Sequence, residues 1–172
     1  MSTEASPATS HPGHPGALAD QFKLTFRRHP AGVAVVAAAT AAGPRGLTVS
    51  SLASVAAEPC AISFSVSSSR GSAGAILDAE HFAVSVLSAE HIAVAQSFSI
   101  PGAPRFGDDQ NWVEFDDGQP FVATAPAAMR CRPIAVVPVG SSSLVLAEVL
   151  EMRIGHPGRP LVYHDRDFHT LS

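Results

Sequence analysis

Residues 61–67 read Ala61-Ile62-Ser63-Phe64-Ser65-Val66-Ser67, and their alternation decides the fold. On an extended chain Ile62, Phe64 and Val66 point one way and Ser63, Ser65 and Ser67 the other, the period of a half-buried strand. The polar face carries only small hydroxyls, which suits a barrel wall or a close subunit contact. Upstream, Gly32–Ala39 is short, apolar and valine-rich, and Leu47–Ser51 reads as its hairpin partner across a loop with Gly43, Pro44 and Gly46. Downstream the pattern predicts a short helix over Ala73–Leu77, a strand over Phe82–Leu87 and a helix from about Ala89 to Phe98. Residues 99–120 read as a long surface excursion. Two long strands follow, Ala127–Val137 and Ser143–Ile154, then short ones at Leu161–His164 and near Phe168.

At the other end, Leu18, Phe22, Leu24 or Thr25, and Phe26 recur at helical spacing, with Arg27 and Arg28 in the last turn before Pro30. Residues 1–16 are rich in Ser, Pro, Gly and Thr and are expected to be a disordered tail ahead of one domain, 17–172. Strands outnumber helices without a regular βαβ alternation. The expected fold is mainly β with α excursions, an antiparallel barrel rather than a doubly wound sheet.

The chain has 172 residues, of which 46% are hydrophobic and only 15% charged, against about a quarter charged in typical domains. So thin a charge inventory suggests that a second subunit covers part of the surface. A net charge of −4 with few aromatic residues excludes an electrostatic or stacking footprint for nucleic acid. No apolar run approaches the roughly 20 residues that span a bilayer, and no secretory leader is read at the start, so a cytoplasmic location is expected. Cys60 and Cys131 lie in apolar strand-like runs and read as small buried hydrophobes. His156, His164 and His169 have no metal-ligand spacing, and no metal is expected.

Two serine-rich segments carry the functional signal. The first is Gly46-Leu47-Thr48-Val49-Ser50-Ser51-Leu52-Ala53-Ser54-Val55; the second holds Ser65, Ser67, Ser68, Ser69, Arg70, Gly71 and Ser72. Small side chains let a ligand approach the backbone, and hydroxyls with free N–H groups hold an anion. Ser69 or Ser72 is a candidate cap for the helix that follows, and Arg70 has bidentate reach to a phosphate. The alternative is a capped helix with a solvated arginine. Arg105-Phe106 and Trp112 are a further set, either closing over a planar ligand or anchoring the long loop. No GxGxxG follows the first strand, which leaves a Rossmann site little support; no GxxxxGK[ST] exists, which removes the P-loop; and Gly140-Ser141-Ser142-Ser143 is not a GxSxG nucleophile elbow.

In order and spacing these pieces resemble the flavin reductase-like family of FMN-binding split barrels, the reductase components of two-component flavin monooxygenases. The resemblance rests on Phe26 with Pro30–Val36, Gly46–Ser51 with Ser54, Val55 and Pro59, Phe82–Leu87, Arg105-Phe106, and Pro160–Tyr163. It implies a six-stranded antiparallel split barrel, normally a homodimer. It implies that Thr48, Val49, Ser50 and Ser51 line the isoalloxazine and ribityl region of FMN or FAD, and that Ser54 and Val55 lie along the ring edge. Ser67, Ser69, Arg70 and Ser72 would take the phosphate, with Phe106 among the flavin contacts.

NADH or NADPH would pass a hydride to the flavin, chemistry that belongs to the cofactor and requires no catalytic acid or base. The implied function is an NAD(P)H-dependent flavin reductase that supplies reduced flavin to a partner monooxygenase. Two positions depart from the family pattern. The usual Gly-Asp-His is matched by Gly140-Ser141-Ser142, leaving Ser141 and Ser142 on the nicotinamide side, and Ala56 stands where a serine is usual. The alternatives are a flavin-binding module without efficient NAD(P)H oxidation, or a split barrel for another flat ligand such as haem or a deazaflavin.

Overall fold

The computed structural model describes residues 15–171. Most of the segment expected to be a disordered tail therefore lies outside the described residues. The first helix, α1, runs Pro15–Arg27. Then come β1 (Ala31–Gly32), β2 (Ala34–Ala38), β3 (Arg45–Val49), β4 (Ala53–Ala57), β5 (Cys60–Val66) and the short helix α2 (Gly71–Leu77). β6 (Phe82–Val86) leads through a single 3₁₀ turn into α3 (Ile92–Ser99). β7 (Trp112–Glu114) and β8 (Pro120–Val122) form a small ribbon in the expected excursion. The long hairpin β9 (Ala127–Val139) and β10 (Ser142–Ile154), then β11 (Leu161–His164) and β12 (Asp167–Thr170), complete the chain.

The main sheet is antiparallel throughout, in the order β3-β2-β6-β9-β10-β5-β4. It has seven strands where six were expected. The extra one is β4, whose Ala53-Ser54-Val55-Ala56-Ala57 offers one β-branched residue and no alternation. β1, β11 and β12 form a separate three-stranded sheet.

β5 behaves as its alternation dictates. Ile62, Phe64 and Val66 are buried, while Ser65 is exposed and Ser63 half-buried. Phe64 meets Phe82 edge-to-face at 5.5 Å inside the barrel, beside Val36, Val84 and Val145. β2 is buried along its whole length because it has a core on each face. Val36 points into the barrel, while Val35 and Ala37 point outward against Val94 and Phe98 of α3. A strand covered on both faces loses the alternating signature and reads as a continuous apolar run.

Cys131 belongs to the barrel core, and burial pushes its thiol pKa up to about 12. Cys60 corrects the expectation of a second buried thiol: it opens β5 at the turn from β4 and is exposed. α1 is exposed from Gly16 to Arg27, with Leu18, Phe22 and Phe26 open to solvent. Its C-terminal turn is fastened to the β11–β12 hairpin, where Arg27 Nε donates to the Asp165 carboxylate and the Asp165 N–H donates to the Arg27 carbonyl.

Candidate functional site

The outer face of β3 carries Gly46 and Thr48, with Ser50 just beyond the strand. α3 packs on this face at one glycine's separation, since a Cβ on Gly46 would stand 2.7 Å from Cε1 of Phe98. Thr48 Oγ1 donates to the Ala95 carbonyl (2.8 Å), fixing the helix against the strand. Ser51 Oγ accepts from the Ser65 N–H (2.9 Å), joining the first serine segment to the second.

Beyond Thr48 the wall opens into a cavity of about 400 Å³, bounded by Thr48 and Ser50, the C-terminal half of α3, and the β11–β12 hairpin. Its far side is aromatic: Tyr163 and Phe168 pack at 5.1 Å between centroids and border the cavity, with Arg166 and Asp167 beside them. Val33 and Ile100 are apolar lining; Gln96 and Ser99 are polar. A volume of this size, with a mixed polar and apolar lining, is within the range of a small-molecule site. Among the described residues no group of His, Cys, Asp or Glu is placed to hold a metal ion.

The expected ligand residues divide accordingly. Thr48 and Ser50 face the cavity, while Val49 turns its side chain into the barrel core and offers only backbone. Ser54 and Val55 lie exposed on β4, the opposite edge of the sheet from β3. In the second segment neither Ser69 nor Ser72 caps α2. The cap position is Arg70, with no side-chain cap bond, and its N–H is held by Ser68 Oγ at 3.1 Å. Serine was expected to cap because of its type. Here Ser68 instead tightens the loop before the helix, and Ser72 Oγ accepts from Arg105 Nη1 (3.0 Å). Ser67, Ser69 and Arg70 are exposed.

Arg105 is a brace. Its guanidinium also donates to the carbonyls of Gly46 (3.1 Å) and Ser97 (3.3 Å), and lies 5.5 Å from the Phe98 ring centre. Phe106 packs edge-to-face on Phe98 at 4.9 Å and against Trp112 at 4.7 Å. This packing anchors the long loop. An edge of Phe106 still borders a second cavity of about 500 Å³ with Arg45, Ser72 and Arg105. Ser141 and Ser142 sit at the tip of the β9–β10 hairpin; Ser143 pairs with Val66, so the tip lies beside the second serine segment rather than in the Thr48 cavity.

The residues that sequence reasoning assigned no role are those of the β11–β12 hairpin and α3. The hairpin was read as strands, but only the tertiary fold brings Tyr163, Arg166 and Phe168 opposite Thr48 and Ser50. Further along, buried Ser88 and His91 form a hydrogen-bonded chain that ends on exposed Thr124. The Ser88 N–H donates to His91 Nδ1 (3.2 Å), which leaves the Nε2 proton for Thr124 Oγ1 (3.0 Å). Burial holds His91 below the ordinary imidazole range, so it stands neutral.

The cavity thus brings the small hydroxyls of Thr48 and Ser50 together with the aromatic rings of Tyr163 and Phe168. Residues 26–172 match the family described as flavin reductase like domain, and the chain belongs to that family. An NADH:FMN oxidoreductase of Rhodococcus erythropolis is 32% identical over 158 residues, covering 90% of this chain and 82% of that one. The reductase component of 4-hydroxyphenylacetate 3-monooxygenase of Thermus thermophilus is 32% identical over 154 residues, covering 90% and 97%. Among solved structures, a flavin reductase domain protein of Arthrobacter superposes with a TM-score of 0.83 at 28% identity, covering 90% of this chain and 96% of that one. The NADH:FAD oxidoreductase of Streptomyces globisporus, in complex with NAD and FAD fragments, superposes at 0.82 with 25% identity, covering 95% and 98%.

Proposed function

We propose that this protein is an NAD(P)H-dependent flavin reductase that reduces FMN or FAD and delivers the reduced flavin to a partner monooxygenase. The observation that carries it is the cavity between the Thr48–Ser50 wall and the Tyr163–Phe168 wall, in a chain of this family. When bound, the flavin supplies the two-electron acceptor chemistry.

What the chain supplies is orientation. Thr48 is locked by Ala95 and cannot rotate freely, so its wall is preorganised. Ser50 and the backbone around Ser51 present hydrogen-bonding groups to a ring edge, and Ser51 is held in place by Ser65. Val33, Ile100, Tyr163 and Phe168 exclude water from the ring faces. The segment with Ser67, Ser69, Arg70 and Ser72 would receive the phosphate, with Arg70 as its charge. None of these steps needs a protein acid or base.

The working form is proposed to be a homodimer in the cytoplasm. Leu18, Phe22 and Phe26 on α1, all of β4, and Ile134, Val136 and Val139 on the distal hairpin stay exposed in one copy. So much apolar surface, including a whole edge strand, requires a cover. Among the described residues no helix is long and apolar enough to cross a membrane.

The test is nicotinamide oxidation by purified protein with FMN or FAD added and NADH or NADPH as donor. Rapid turnover is expected. Flavin binding without turnover would favour the second reading, a flavin-binding module, which the placement of Ser141 and Ser142 away from the cavity favours. Arg70→Ala should weaken FMN far more than riboflavin; equal weakening removes the phosphate assignment.

A further inference from the structure

His164 pairs with Asp167, so the β11–β12 hairpin closes over just two residues, Asp165 and Arg166. Both hold positive φ, 52° and 67°. A two-residue hairpin loop of this hand favours Asn or Asp first and glycine second. Asp165 fits its position. Arg166 stands where glycine belongs, in a conformation that strains any L side chain.

Of its neighbours, Asp165 is ion-paired, and Asp167, which also lines the cavity, is hydrogen-bonded within the hairpin. Arg27 takes the Asp165 carboxylate and holds it below the usual carboxyl range. Asp167 turns its carboxylate back to accept the Phe168 N–H at 2.8 Å. Arg166 alone is left at the turn: it lines the Thr48 cavity and makes no hydrogen bond or ion pair among the described residues. Arg105, by contrast, is consumed by the carbonyls of Gly46 and Ser97 and by Ser72.

We infer that Arg166 is a specificity-determining residue for the nicotinamide co-substrate, holding the diphosphate linkage of the reduced dinucleotide as its nicotinamide ring enters the cavity. The inference rests on the flavin reductase reading. FMN brings one phosphate, for which the segment around Arg70 is available; a dinucleotide brings a diphosphate that this segment does not account for. A guanidinium with every donor free, held at the rim by a turn that is clamped to α1, offers bidentate geometry to that anion. Residues at strained positive φ cluster at ligand sites, and Arg166 is one.

The test is steady-state kinetics of Arg166→Ala, Arg166→Gly and Arg166→Lys with NADH and with NADPH, alongside flavin titrations of the same proteins. The expected result is a KM for the dinucleotide raised about tenfold or more in the Ala and Gly variants, with kcat changed less and flavin affinity held. Arg166→Lys should recover part of the loss. Arg166→Gly should melt no lower than the parent, since it relaxes the turn, so its raised KM cannot come from unfolding. An unchanged dinucleotide KM overturns the inference, as does a loss confined to flavin affinity. If the parent protein binds no flavin or consumes no nicotinamide, the flavin reductase reading fails first and takes this inference with it.

Discussion

β2, Ala34-Val35-Val36-Ala37-Ala38, and β4, Ala53-Ser54-Val55-Ala56-Ala57, differ only where Val35 is matched by Ser54, yet every residue of β2 is buried and every residue of β4 exposed. The reason is position in the sheet. β2 lies between β3 and β6 with the barrel core on one face and α3 on the other, whereas β4 is the last strand and has one neighbour, β5. Residue content sets whether a segment seeks cover. Topology sets whether its own chain provides it. β2 is satisfied within one copy, and β4 is left for the proposed second copy.

The sharpest way to break the comparison is to place the same charge in both strands. Val36→Asp puts an unpaired carboxylate in a site of zero exposure and should cost more than about 4 kcal/mol, enough to abolish the cooperative thermal transition. Val55→Asp should leave the circular dichroism of one copy intact and shift sedimentation from dimer to monomer. If Val55→Asp also unfolds the chain, β4 is core and the contrast fails.

Next in size is Gly46→Ala on the strand beside β2. Its Cβ would meet the Phe98 ring and stand 3.0 Å from the Val36 carbonyl, so a loss of about 1–3 kcal/mol is expected by denaturant titration. No loss would mean that α3 covers β2 more loosely than its burial indicates.

His91→Gln should cost about 1 kcal/mol by cutting the Ser88–His91–Thr124 chain beside the same outer core. The pH dependence has a definite sign. The native imidazole binds its proton less readily than the unfolded one, so stability is intact above the ordinary value of 6.5 and falls as pH drops below it. Urea midpoints from pH 8 to 5 should show that slope (the range is about 1.5 units either side of the ordinary value), and His91→Gln should flatten it. Smallest is Val55→Ser, for which the one-copy stability should stay within about 0.5 kcal/mol of the parent.

How far the sequence could be read follows the same division. β5 was legible because Ile62, Phe64 and Val66 face one core and the serines do not. β2 was legible as a strand because burial on both faces leaves an unbroken apolar run. β4 was not, since five small residues after a serine cluster carry no period and its pairing with β5 is set by the turn at Glu58-Pro59. The hydroxyl wall at Thr48 and Ser50 could be picked out locally. Its aromatic counterpart could not: Tyr163 and Phe168 lie more than a hundred residues away in sequence, and nothing nearby announces that the hairpin folds back over β3. The mistaken serine cap has the same origin, because Ser72 is drawn to Arg105 from a distant loop.

The two cysteines give this chain a built-in reporter. Cys131 sits in the barrel with a thiol pKa of about 12, and is therefore silent to alkylating reagents while the fold persists. Cys60 is exposed at the very corner where β4 turns into β5. A single reagent thus reads two events on two timescales. Modification of Cys60 records whether that corner is covered, and modification of Cys131 records global opening, without a label having to be introduced.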